Sequence, residues 1–288
     1  MPFDMIDVQA VVIGDNVYVG GGYTRSQNKG VVMVYSLNTE SWRTLLPQES
    51  KFFGMTAVNN QLVLVGGLVI STDKETWNVL SVWDELSQRW IHPFPEMRTS
   101  RHTPSVVSYQ KWLVVAGGGR GGSYLNRIEI LDTLSGQWYE GPPLPSVCSG
   151  MSSAVNGNMW YLAGGFTSPT QANTQVFSAC LDELISQAVS QSAGTTSPST
   201  PSPWQTLTDT PLIFSTVSVL NGALLAVGGG FTSAIHHYQP SRRSWVKVGD
   251  LPTQRWQCAC TVLPNREIFV AGGGGENSQR LDIGAVTF

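Results

Sequence analysis

Six times along this chain an apolar run ends in paired glycines: VYVGGG at 17–22, LVLVGG at 62–67, LVVAGG at 113–118, WYLAGG at 160–165, LLAVGGG at 224–230 and IFVAGG at 268–273. The runs recur every 43–65 residues, and a tryptophan follows each of the first five: Trp42, Trp90, Trp138, Trp204 and Trp245. Repetition at this period marks a supersecondary unit that cannot bury its apolar face alone and must stack on copies of itself.

Each unit reads as four short strands. An apolar stretch meets a tight turn (Asn59-Asn60, Asn156-Gly157 or Asn221-Gly222) whose residues accept positive φ and suit a hairpin. A second strand runs into the glycines, a third alternates (VVMVYSL, RIEILD, IHHYQP), and a fourth carries the tryptophan. Short, evenly spaced strands indicate an all-β chain, and units of this kind stack radially about an axis.

Charged residues make up only 13% of the 288, and the net charge is -3, which argues against nucleic acid or an anionic membrane as partner. No apolar run reaches membrane-spanning length. The opening MPFDMIDVQA has neither the basic nor the apolar stretch of a signal peptide. Cys148, Cys180, Cys258 and Cys260 match no zinc or disulfide framework, which points to a reducing, cytoplasmic setting.

The glycine pair after an apolar strand, the aromatic that follows it (Tyr23, Phe166, Phe231) and the later Y/I-x-(I/L)-x-(N/D)…Trp pattern resemble the kelch repeat over essentially the whole chain. The resemblance implies one domain over 1–288, a six-bladed β-propeller whose sixth blade is short of its outer strand. Two departures stand out. In unit four the glycine-to-tryptophan distance is 39 residues against 20 in units one and three. The extra stretch, about 186–203, reads as a disordered insertion because its second half is Ser/Thr/Pro-rich; CLDELISQAVSQ before it suits a turn or two of helix. After Gly273 there is room for a third strand, RLDIGAVTF, but not for a tryptophan strand. Either that blade has three strands or the chain is an excerpt; an open edge at 280–287 predicts self-association.

Catalytic signals are thin. His236 and His237 are adjacent on a strand and point to opposite faces, and no nucleophile elbow, zincin or phosphate-loop motif occurs. Kelch-like enzymes such as galactose oxidase carry a copper with His ligands and a Tyr-Cys crosslink, and no corresponding set of Tyr, His and Cys is spread over neighbouring units here. The reading is therefore no enzyme, no cofactor and no metal.

In a propeller the interblade loops and the strand 2–3 loops share one face. Arg101, Arg255, Trp256, Arg25, Arg120, Lys51, Tyr23 and Phe53 fall on those segments. In Keap1-like substrate adaptors, which the chain resembles, an arginine just after the Met/Leu-Pro turn binds acidic side chains. Arg101 in MRTSR and Arg255 in LPTQR match that position, and Lys51 comes close. The resemblance implies a scaffold that recognises a protein or peptide with acidic or aromatic side chains. The alternatives are an enzyme or small-molecule binder at the central channel mouth, and a structural or actin-associated module. An acidic channel favours a small-molecule binder; an arginine-rimmed bowl favours peptide recognition.

Overall fold

The computed structural model describes residues 5–24, 30–45, 49–72, 74–195, 201–210, 213–230 and 232–274. Five four-stranded antiparallel meanders account for most of them. Blade one is Gln9–Ile13, Asn16–Gly20, Met33–Ser36 and Ser41–Thr44. Blade two is Gly54–Val58, Gln61–Val65, Leu80–Asp84 and Arg89–Ile91. Blade three is Ser105–Tyr109, Trp112–Ala116, Ile128–Asp132 and Gln137–Gly141. Blade four is Ser152–Asn156, Met159–Ala163, Val176–Cys180 and Trp204–Thr206. Blade five is Thr216–Leu220, Ala223–Val227, Ala234–Gln239 and Ser244–Asp250.

The six-bladed expectation is corrected here: the propeller has five blades. The sixth glycine pair belongs to a two-stranded hairpin, Ala259–Val262 with Ile268–Ala271, which packs between blade five and blade one. Among the described residues the sixth unit contributes only these two strands. The stretch RLDIGAVTF and its expected open edge lie outside the described residues. The ring is joined by backbone: Gly273 N–H donates to Met5 O at 2.9 Å and Asp7 N–H to Gln257 O at 3.1 Å.

Alternation explains the packing. In blade three Val114 stands between Val107 and Ile130 in register, and all three are buried against blade four. Similar apolar clusters fill each junction around the ring, and each buried Val or Leu contributes about 1.5–3 kcal/mol. The repeat tryptophans add a polar tie. Trp138, Trp204 and Trp245 each send the indole N–H back to a carbonyl of the preceding blade's exit loop: Pro95 at 3.0 Å, Pro142 at 3.1 Å and Thr208 at 3.3 Å. Asn59 and Asn60 turn blade two's first hairpin with φ of 50° and 59°, the left-handed pair that a two-residue turn requires.

The insertion in blade four is ordered further than expected. A helix spans Leu181–Ser192, three turns, so it includes residues 186–192 of the stretch read as disordered. Leu181, Leu184, Ile185 and Ala188 recur at helical spacing and are buried against the outer strand of blade three. Asp182 and Glu183 suit the positive end of the helix dipole. Asp182 also accepts hydrogen bonds from Tyr109 Oη at 3.0 Å and Asn158 Nδ2 at 2.8 Å. Residues 196–200 lie outside the described set. Among the described residues no helix is long and apolar enough to cross a membrane.

Candidate binding site at the channel mouth

The first strand of every unit lines the central channel. Two residues before each of these strands stands one with left-handed backbone: Asp7 (φ 59°), Phe52 (57°), Thr103 (45°), Gly150 (71°), Phe214 (59°) and Gln257 (52°). Four of the six neighbouring pairs are tied head to tail by backbone. The N–H of Asp7 donates to Gln257 O, Gln257 to Phe214 O, Gly150 to Thr103 O and Thr103 to Phe52 O, over 2.5–3.2 Å. Glycine stands at only one of the six positions, so the other five carry strain of about 1 kcal/mol or more each, most for the aromatic and β-branched residues. The neighbouring blades over-determine that conformation. At Gly150 an added Cβ would meet nothing within 4 Å, so side chains at this position have open space before them.

The ring opens on a cavity of about 430 Å³ lined by Asp7, Gln9, Thr103, Phe166, Phe214 and Gln257 among others. Its walls are mostly small apolar side chains with nine serines and threonines among them, and several of those hydroxyls serve the fold. Ser105 Oγ donates to Met151 O at 2.9 Å, and Ser152 Oγ and Thr216 Oγ1 lie 2.8 Å apart. Aromatic rings make an arc on the blade four to hairpin side: Phe166 and Phe214 are 5.1 Å apart, Phe214 and Trp256 6.3 Å. Lys51 Nζ lies 5.6 Å from the Phe52 ring centroid on the other side.

Asp7 is the charged group of this cavity. It has no hydrogen-bond or ion-pair partner among the described residues, and burial pushes its carboxyl up from 3.8 to about 6. A raised carboxyl favours the protonated form in the folded state, so Asp7 lowers stability progressively as pH rises from 3.8 to about 6. Asp7→Asn, which keeps a residue tolerant of left-handed backbone, is expected to match the wild type below about pH 4 and to be more stable by roughly 1–3 kcal/mol at pH 7. Urea unfolding across that range tests this; a variant less stable at pH 7 would show that the carboxylate has a partner.

The residues singled out by the repeat pattern are placed as follows. Arg101 is 0% exposed. Its Nη1 donates to Gly117 O at 2.8 Å and Arg127 O at 3.0 Å, its Nε to Thr99 O at 3.3 Å, and Nη2 sits 3.4 Å from Glu129 Oε1. Burial pulls this guanidinium down to about 10, against the opposing pull of Glu129. Arg255 is also buried, and its Nη1 donates to Gly272 O at 3.0 Å. Cys148, at the matching position of blade four, directs Sγ to Gly164 O at 3.4 Å. These are one repeated position, four residues before the first strand, whose side chain satisfies the carbonyl of the first glycine of its own pair. Its backbone carbonyl accepts from the second glycine of the preceding unit: Gly67 to Arg101, Gly118 to Cys148, Gly229 to Arg255. Where two ligand-facing arginines are expected from sequence, the guanidinium groups of Arg101 and Arg255 donate inward to backbone carbonyls, those of Gly117 and Arg127 for the first and of Gly272 for the second.

In blade two the equivalent residue is Ser50 rather than Lys51; both are buried, as is Phe53, which packs in the cluster between blades one and two. Arg120 is exposed on a short ribbon, Gly119–Arg120 with Ser123–Tyr124. Trp256 is half-buried, bridged to Gly274 and stacked on Phe214. Tyr23 pairs with Ile6 through its backbone, and Arg25 lies outside the described residues. Sequence reasoning missed Asp7, Phe214 and Gln257. Their one common signal is an offset of two residues before a first strand, which becomes visible only once strand starts are known. Among the described residues no cluster of three or more His, Cys, Asp or Glu converges to hold a metal.

Comparison with known proteins bears on this arrangement. The KLHDC2/KLHL20/DRC7 Kelch-repeats domain family matches residues 7–208. Human Kelch-like protein 38 is 22% identical over 265 residues, 89% of this chain and 42% of its own length. Mouse Kelch-like protein 35 is 25% identical over 249 residues, 85% of this chain and 39% of its own. The chain thus spans about two fifths of the length of these curated relatives. The solved structure of YjhT superposes with a TM-score of 0.77 over 99% of this chain and 95% of that one, at 13% identity.

Proposed function

Because this chain belongs to the kelch-repeat family, we propose that it is an interaction scaffold, recognising a protein or peptide non-covalently across the channel-mouth face. The observation that carries this reading is the aromatic arc of Phe166, Phe214 and Trp256 at the rim of a cavity held open by a strained, hydrogen-bonded ring. Large aromatics beside a pocket are the side chains that dominate binding energy at interfaces, and exposed Arg120 is the other residue type enriched there. A non-enzymatic role rests on the family. An anionic partner held by Arg101 and Arg255 gains no support from their inward orientation. Acidic or aromatic groups on a partner would instead meet Arg120 and Trp256.

A reducing, cytoplasmic setting is part of the same reading. All four cysteines are free, and burial pushes Cys148 up to about 12 and Cys258 to about 11, which keeps both as inert thiols.

The test compares partner recovery by the wild type, by a rim variant (Trp256→Ala with Arg120→Glu) and by an opposite-face variant (Leu86→Ser with Leu134→Ser). Those leucines stand 98% and 78% exposed on strand 3–4 turns, at the far end of the blades. Loss of two hot-spot contacts is expected to cut recovery by at least 30-fold, on the order of 2 kcal/mol, while the opposite-face variant retains it. Recovery that survives the rim variant and fails with the other would place recognition on the wrong face.

A further inference from the structure

We propose that the channel mouth is a site for an alkylammonium group, with the Asp7 carboxylate as counter-charge and the Phe214 ring as the wall against which the chain and charge of the ligand lie. This deepens the reading above and shares with it only the choice of face.

Four observations converge. The Asp7 carboxylate lines the cavity and has no partner among the described residues, and the described lining contains no lysine, arginine or histidine. The carboxylate is half-buried and has no counter-ion there, and a ligand that brings a cation supplies one. Phe214 follows Asp7 around the ring, one position beyond Gln257, and also lines the cavity; Phe166 and Trp256 pack on either side of it. Aromatic rings that line the same cavity as a carboxylate suit a cation carried on an apolar stem. The Gln257 amide lines the same cavity at the ring position next to Asp7 and supplies an acceptor for a further N–H group, whereas the Thr103 hydroxyl is engaged with His102 and Ser149. Five non-glycine positions of the ring hold left-handed backbone, and strain of this kind gathers at ligand clamps.

The same features exclude the alternatives. An anion would meet Asp7 with no lysine or arginine in the described lining to receive it. A hard divalent cation wants six or more oxygens, whereas this mouth offers one carboxylate and no converging acidic cluster among the described residues. A neutral polyol would use the hydroxyls but leave the carboxylate uncompensated.

The ammonium has two sources, a lysine side chain of a bound polypeptide or a free amine. The probes are therefore Nα-acetyl-lysine-N-methylamide, n-butylamine and the Nε-acetylated form of the first, titrated calorimetrically at pH 7.5. Saturable binding is expected for the two ammonium probes and none for the acetylated one. A lysine amide at least tenfold tighter than butylamine points to a peptide; equal affinities point to a free amine; both support the site. Asp7→Asn is expected to weaken binding at least tenfold. Gln257→Lys, which sets an ammonium of the chain's own beside Asp7, is expected to abolish it and keeps the test open if Asp7→Asn folds poorly. No saturable ammonium binding by the wild type, or equal binding by both variants, overturns the proposal. The two readings fail separately. Partner recovery lost in the rim variant, with no saturable binding of either ammonium probe to the wild type, leaves the scaffold standing and removes the ammonium site. Asp7-dependent ammonium binding beside recovery that survives the rim variant does the reverse.

Discussion

Arg101→Ala is expected to cost about 3–5 kcal/mol of stability, the largest loss from any single substitution outside the apolar core. The guanidinium is fully buried and serves three backbone carbonyls, those of Thr99, Gly117 and Arg127. Its removal also leaves Glu129, itself 1% exposed, without a counter-charge. Neither Glu129 oxygen has a hydrogen-bond partner among the described residues, so the carboxylate depends on the charge of Arg101 alone. Replacing both residues by apolar ones of similar size, Arg101→Met with Glu129→Leu, should recover much of the loss because no buried charge is then left over. Chemical unfolding of the single and double variants measures this. An exposed ligand-binding arginine would behave differently: Arg101→Ala would then change stability by no more than about 0.5 kcal/mol and act on binding alone.

Trp160→Ala is expected to cost a similar 3–5 kcal/mol, for a different reason. Trp160 is fully buried on the second strand of blade four, in the cluster that joins blade three, blade four and the inserted helix. Its ring lies 5.8 Å from that of Trp204, and Ile128, Ile130 and Leu184 belong to the same cluster. Truncation opens a cavity at a junction that three elements share, and a close-packed interior relaxes only in part. The indole N–H has no hydrogen-bond partner among the described residues. Trp160→Phe therefore removes an unsatisfied donor while filling most of the volume, and should cost less than about 1.5 kcal/mol. If thermal unfolding found the two variants alike, the indole would be contributing through a polar contact rather than through volume.

The unequal legibility of fold and site follows from the range of the forces involved. Strand pairs, the turns at Asn59-Asn60 and the tryptophans at the fourth strands were readable because alternation, turn chemistry and repetition are local and recur in phase. The inserted helix was half readable. Leu181, Leu184, Ile185 and Ala188 have helical spacing, but what orders that face is the outer strand of blade three, which is remote in sequence. The blade count was misjudged because a glycine pair reports the second strand only, and a unit can carry that pair and still form no more than a hairpin.

The side-chain directions at the site were not readable at all. Arg101 and Arg255 sit on loops, where arginines ordinarily face water, and their turn inward is decided by the carbonyl of a glycine 16 or 17 residues further on in the same unit, brought near only once its strands pair. Asp7, Phe214 and Gln257 have no shared chemistry to mark them. They become one site because six chain segments reach the axis together and hold one another in a left-handed backbone. The sequence by itself determined an all-β chain of stacked kelch units, since short-range pattern suffices for a blade. The tertiary structure alone decided which charges face the channel and which are taken up by buried carbonyls, since those environments exist only once the strands have paired and packed around the axis.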